Sequence, residues 1–126
     1  MKKTVFVFVL LVFFLVVSVF GLFSFYSGFF EKVDLAGGRE NFMKYCVVCH
    51  GEKGHGDGVR SADLLVSPDN IYSEITNVLG FKGELINSVL EGDNGEGGSM
   101  PAFKDDLTAQ DVNDILEYVR SVNEVN

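Results

Sequence analysis

The chain has 126 residues, 47% of them hydrophobic, with two cysteines and a formal charge of −8; that bounds it at one small domain and excludes a multi-disulfide scaffold. Lys2 and Lys3 are the only charged residues among the first 30, so the remaining 96 carry 8 basic against 18 acidic side chains, a net −10. That excess of acid excludes nucleic-acid binding, which needs clustered Lys and Arg, and argues against docking on an anionic lipid surface.

From Thr4 to Phe30 there are 27 positions without a charge, and nine of the twelve phenylalanines lie in residues 1–30. A helix of that length reaches about 40 Å, more than the ~30 Å hydrocarbon core of a bilayer. A cleaved signal peptide is the rival reading, but it has an apolar core of about 7–15 residues and a small-x-small site. The nearest match to that site is Val19-Phe20-Gly21, and Cys46 is too far along for a lipoprotein signal. Phe25, Tyr26, Phe29 and Phe30 cluster where the run ends, as aromatics do at a membrane interface, and Lys2 and Lys3 place the N-terminus in the cytoplasm. The expected organisation is an uncleaved membrane anchor over residues 1–30, a short linker over 31–36, and a separate domain over 37–126 facing outward.

In that domain, residues 37–50 read as a helix with Gly38, Phe42 and Cys46 on one stripe and Met43 as a core filler. The glycine-rich stretch Gly51–Gly58 ends it. Leu64, Leu65 and Val66 lead to Pro68, short helices are expected over 70–79 and 84–90, and regular structure should fail over Gly92–Gly98. Thr108 with Asp111 resembles a capping box opening a last helix, along which Val112, Ile115, Leu116, Val119 and Val122 keep helical spacing. No segment alternates with period two, so the fold class is all-α. A core made from these helices alone is thin for some 90 residues, so a further group is expected to fill the middle.

Cys46-Val47-Val48-Cys49-His50 is the C-x-x-C-H attachment pattern for c-type heme. On a helix the two thiols can each add to one vinyl group while the histidine turns its imidazole to the iron. Rivals are a thiol redox pair, which expects a βαβ context, and a structural zinc site, which needs four ligands where only His55 remains to complete the set. The expected distal ligand is Met100, which follows a glycine-rich loop and precedes the stiff Pro101. His55 lies too close to His50 to reach the other side of the ring and is expected as an exposed loop residue. Gly51–Gly58 lacks the strand and the G-K-[ST] ending of a phosphate loop, and Asp93, Asn94 and Glu96 miss the calcium-loop spacing.

With these motifs, over residues 37–122, the chain resembles a class I c-type cytochrome of the monoheme, membrane-anchored bacterial type. The resemblance rests on Gly38-x-x-x-Phe42-x-x-x-Cys46 running into the heme motif, on Ser99-Met100-Pro101-Ala102-Phe103, and on Leu107-Thr108 opening a helix with Tyr118-Val119-Arg120. It implies one covalent heme c per chain, held by Cys46 and Cys49, with iron ligated by His50 and Met100. It also implies that Gly38 and Phe42 pack against Ile115 and Tyr118 where the first and last helices cross. Relatives often place a proline at Val59, whose carbonyl accepts the proximal histidine's Nδ1–H; Pro68 falls late, so the sequence names no carbonyl partner for His50. The implied function is one-electron transfer, not catalysis, at the outer, periplasmic face of a bacterial cytoplasmic membrane. Electrons would pass from a respiratory donor such as a quinol-oxidising complex to a terminal oxidase or reductase with a basic or neutral docking face. The alternative is a permanently bound cytochrome c subunit of a larger respiratory or dehydrogenase complex; a heme sensor or peroxidase would instead need an open distal position.

Overall fold

Helix α1 spans Lys2–Phe29, 28 residues. The computed structural model describes residues 2–29, 32–92 and 97–124, with side chains within α1 described from residue 7 to 22. Every one of those α1 side chains is exposed, and Ser18 satisfies its hydroxyl within the helix by donating to the Phe14 carbonyl at 2.8 Å. The described side chains cover about 24 Å of helix at 1.5 Å per residue. Among the described residues no helix is long and apolar enough to cross a membrane. Residues 1–32 and 33–126 form two separate compact units.

The second unit is built from α2 (Leu35–Tyr45), α3 (Val47–His50), a 3-10 turn (Ser61–Asp63), α4 (Ile71–Thr76), α5 (Lys82–Glu91) and α6 (Ala109–Glu124). Among the described residues there is no strand, in keeping with the all-α expectation. α2 begins two residues before the expected Gly37 because Asp34 caps it, its Oδ1 accepting from the Ala36 and Gly37 N–H groups at 3.0 Å. α4 is shorter than the sequence suggests. Asn70 caps its start through Ser73 N–H at 2.9 Å, but Asn77 takes the Leu79 N–H at 3.1 Å and turns the chain out of the helix. The expected break over Gly92–Gly98 falls mostly on residues 93–96, outside the described residues. At α6 the capping box forms: Thr108 N–H and Oγ1 donate to Asp111 Oδ2 at 2.8 and 2.6 Å, and Asp111 N–H donates back to Thr108 Oγ1 at 3.2 Å. Those bonds favour the charged carboxylate and lower the Asp111 pKa below its ordinary value.

Among the described residues the buried core is small: Phe42, Leu107, Val112, Ile115, Leu116 and Val119. Its centre is the contact of α2 with α6, where Phe42 meets Tyr118 with ring centroids 5.6 Å apart. Gly38 is what lets the two helices approach. A Cβ built at that position would lie 2.2 Å from the Asp114 carbonyl oxygen and 3.0 Å from Ile115 N, and these are backbone atoms that cannot swing aside. Because α2 buries the Gly38–Phe42 stripe, Met43 falls on the other side and is 43% exposed, so it is not the core filler its composition suggests. Gly38→Ala should separate α2 from α6 and destabilise the domain by about 1–3 kcal/mol, as overpacking does. A denaturant midpoint that stays at the wild-type value would contradict this close approach.

Candidate functional site

α2 passes into α3 through Cys46 with only a slight irregularity. The Cys46 N–H still reaches the Phe42 carbonyl at 2.9 Å, and the Cys46 carbonyl accepts from Cys49 N–H at 3.2 Å and His50 N–H at 2.9 Å. One helical turn therefore carries Cys46, Cys49 and His50. Both cysteines are half-buried and neither is in a disulfide. Burial, with Cys49 nearby, pushes the Cys46 thiol up to about 12.

His50 donates its Nδ1–H to the Asp69 carbonyl at 3.1 Å, which supplies the partner that the sequence left unnamed. Burial lowers the His50 pKa, although the Asp69 carbonyl works in the opposite direction. The outcome is a neutral imidazole with one nitrogen fixed as donor and Nε2 left as a lone-pair donor to a metal. Asp69 follows Pro68, so the late proline marks the strap that delivers the carbonyl. What brings the strap in is the glycine loop. Ile71 N–H donates to the Gly54 carbonyl at 2.7 Å, Gly56 N–H donates to the His50 carbonyl at 2.9 Å, and Gly56 sits at φ 79°. A Cβ on Gly56 would lie 2.3 Å from the Pro68 carbonyl oxygen. Read from sequence, these glycines marked a loop; their closeness to the strap is a tertiary contact that sequence spacing does not reveal.

His55 is exposed, as expected, and is occupied elsewhere. Its Nε2 donates to Asn123 Oδ1 at 2.7 Å, while Asn123 Nδ2 donates to the carbonyls of Lys53 and Val119 at 2.9 and 2.8 Å. The loop after the motif is thus tied to the end of α6. Met100 is half-buried on a segment pinned to α5, where the Phe103 N–H contacts the Val89 and Leu90 carbonyls at 3.2 and 3.1 Å and Lys104 N–H donates to Leu90 at 3.1 Å. The Cys46–His50 turn and the Met100 segment meet through Tyr45 and Phe103, whose rings contact edge to face at 5.6 Å.

Among the described residues no three His, Cys, Asp or Glu side chains come together in a way that could hold a metal ion, so Cys46, Cys49, His50 and His55 do not form a zinc cage. Asp93, Asn94 and Glu96, the weak calcium candidates, lie outside the described residues. The chain between the motif and α5 instead carries large apolar side chains that the protein itself leaves uncovered: Val59 is 87% exposed, Leu65 99%, Val78 96%, Leu79 87% and Phe81 72%. Two free thiols, a neutral oriented imidazole and a surplus of apolar surface fit a large apolar metal macrocycle better than a bare ion.

Residues 33–119 match the family described as cytochrome c oxidase, cbb3-type, subunit III. A chain of the Kuenenia stuttgartiensis reducing HAO-like protein complex is similar in structure, with a TM-score of 0.58 and 24% identity over 72% of this chain. This chain spans 44% of that one, and the likeness is one of fold. No curated protein matches the chain.

Gly56→Ala should push the Pro68–Asp69 strap off the loop, through both the positive φ and the clash, and destabilise the domain by about 1–3 kcal/mol. In NMR of the folded protein the His50 Nδ1–H should then exchange faster with solvent. Unchanged exchange would show that the strap does not depend on this glycine.

Proposed function

The chain belongs to the c-type cytochrome family of cbb3-type cytochrome c oxidase subunit III, and we propose that it is a membrane-anchored one-electron relay carrying a single, covalently attached heme c. Electron transfer, rather than catalysis, is the work of such a domain. The observation that carries the assignment is the neutral His50 imidazole, fixed by the Asp69 carbonyl beside two free thiols on the same helical turn. Cys46 and Cys49 would hold the cofactor through thioethers, and His50 Nε2 and Met100 Sδ would hold its iron. Heme, when bound, supplies an iron that gains and loses one electron at a time. The Asp69 carbonyl would hold the imidazole in place and raise its basicity. With His50 and Met100 both holding the iron, no position would be left for a substrate, which separates this reading from a peroxidase or ligand sensor.

Residues 1–30 anchor the chain in this reading, supported by the uncharged run Thr4–Phe30 and by α1 reaching Phe29. Lys2 and Lys3 favour a cytoplasmic N-terminus, which sends the heme domain to the periplasmic face of a bacterial cytoplasmic membrane. The donor is a quinol-oxidising complex or similar respiratory component and the acceptor a terminal oxidase or reductase. The net −10 of residues 31–126 favours partners with a basic or neutral docking face. A second reading, a fixed subunit of a larger respiratory or dehydrogenase complex, is supported by the few residues between α1 and α2 and by the oxidase subunit and complex named in the similarities.

Met100→Ala should keep the heme bound but abolish the Met–iron charge-transfer band of the oxidised protein, lower the potential and let small ligands bind. An unchanged spectrum would assign the distal place to another residue. Extraction into mild detergent separates the carrier from the subunit. A carrier purifies alone, whereas stoichiometric partner subunits that survive high salt would establish the fixed-subunit reading.

A further inference from the structure

Gly92, at the end of α5, lies close to the Met100–Ala102 backbone: a Cβ there would be 2.9 Å from the Met100 carbonyl oxygen and 2.8 Å from Ala102 N. Further restraint comes from the residues after Met100. Pro101 stiffens the adjoining backbone, and Phe103 then joins three elements. Its N–H contacts the carbonyls that end α5, its carbonyl accepts from Asp106 and Leu107 N–H at 2.9 and 2.8 Å on the approach to α6, and its ring meets Tyr45 at an interplanar angle of 67°. Tyr45 is the last residue of α2 and precedes Cys46, and Lys44 Nζ lies 4.5 Å from its ring centroid. The backbone bonds of Phe103 and Lys104 tie the Met100 segment to α5 and not to α2. Among the described residues, the Tyr45–Phe103 pair is the ring contact that joins the segment bearing the thiols to the segment bearing Met100.

We propose that the Tyr45–Phe103 pair is a latch that positions Met100 on the iron, so that its strength sets how often the distal ligand lets go. The proposal rests on the reading of Met100 as distal ligand. Tyr45 and Phe103 are positioning residues, acting through the backbone of residues 100–103. The neighbouring Lys104–Glu91 ion pair, at 2.8 Å, is well exposed and ties the segment to α5 only, so it contributes little to this closure. An edge-to-face aromatic pair shifts an equilibrium by roughly 2- to 12-fold.

The test is an imidazole titration of the oxidised holoprotein, followed by loss of the Met–iron charge-transfer band. Because imidazole reaches the iron when Met100 has left, its apparent affinity follows the open population. Tyr45→Leu and Phe103→Leu should each raise that affinity by roughly 2- to 12-fold, and the double variant should gain no more than the larger single effect, since either change removes the same contact. Tyr45→Phe, which keeps the ring, should restore wild-type affinity, and Lys104→Ala should match the wild type. These affinities are read on folded holoprotein, so a general loss of stability does not imitate the pattern. Leu variants whose imidazole affinity equals that of the wild type, or whose effects simply add, would overturn the latch. A wild-type protein without the charge-transfer band, unchanged by Met100→Ala, would overturn the ligand assignment itself, and the latch with it.

Discussion

The arrangement of the heme domain depends on one close approach, that of Gly38 on α2 to the Asp114–Ile115 backbone of α6. Nothing larger than a hydrogen fits there without moving a main chain. The crossing fixes the line of α2, and the end of α2 is where Cys46 begins the motif turn. The other end of α6 serves the same site. Asn123 grips the loop after His50 through Lys53 and His55, so a single helix sets both the entry to the motif and its exit. Among the described residues the core holds six buried apolar side chains, so this geometry is held by few contacts, and a bound macrocycle would add apolar burial to it.

Burial has a consistent chemical effect within the motif. It keeps Cys46 a thiol and His50 a neutral imidazole, although the two pKa values move in opposite directions, because desolvation penalises whichever form is charged. A protonated thiol is what adding S–H across a vinyl group consumes, and a neutral imidazole is what an iron ligand requires. The charge of the domain lies elsewhere, in the exposed acids, where it bears on partner choice and association rate rather than on the site.

Much of this was legible in the sequence where the signal is local. The capping box at Thr108–Asp111 and the stripe Gly38–Phe42 depend on residues three or four apart, and both form as their spacing implies. The two short helices were located but not bounded. Asn77 ends α4 by a side-chain turn, a local contest between helix and Asx geometry that composition does not settle. Met43 was misplaced because a helix next to a motif has two apolar-looking faces, and only the crossing with α6 decides which is buried. The carbonyl for His50 was missed for a different reason: Asp69 lies 19 residues away and reaches the ring because Gly54 and Gly56 let a strap settle on them. In the sequence Pro68 falls too late to be read as the carbonyl's marker, because its distance along the chain hides its closeness in space.

In the proposed function Cys46 and Cys49 bind one heme covalently on a turn whose histidine is already oriented by the Asp69 carbonyl. The most direct measurement is the intact mass of the full chain, extracted from membranes and denatured in the presence of a thiol-alkylating reagent. The expected mass is that of the polypeptide plus one heme, with neither cysteine alkylated, and the same spectrum reports whether residues 1–30 are retained. A chain at polypeptide mass alone, alkylated at both Cys46 and Cys49, would contradict it.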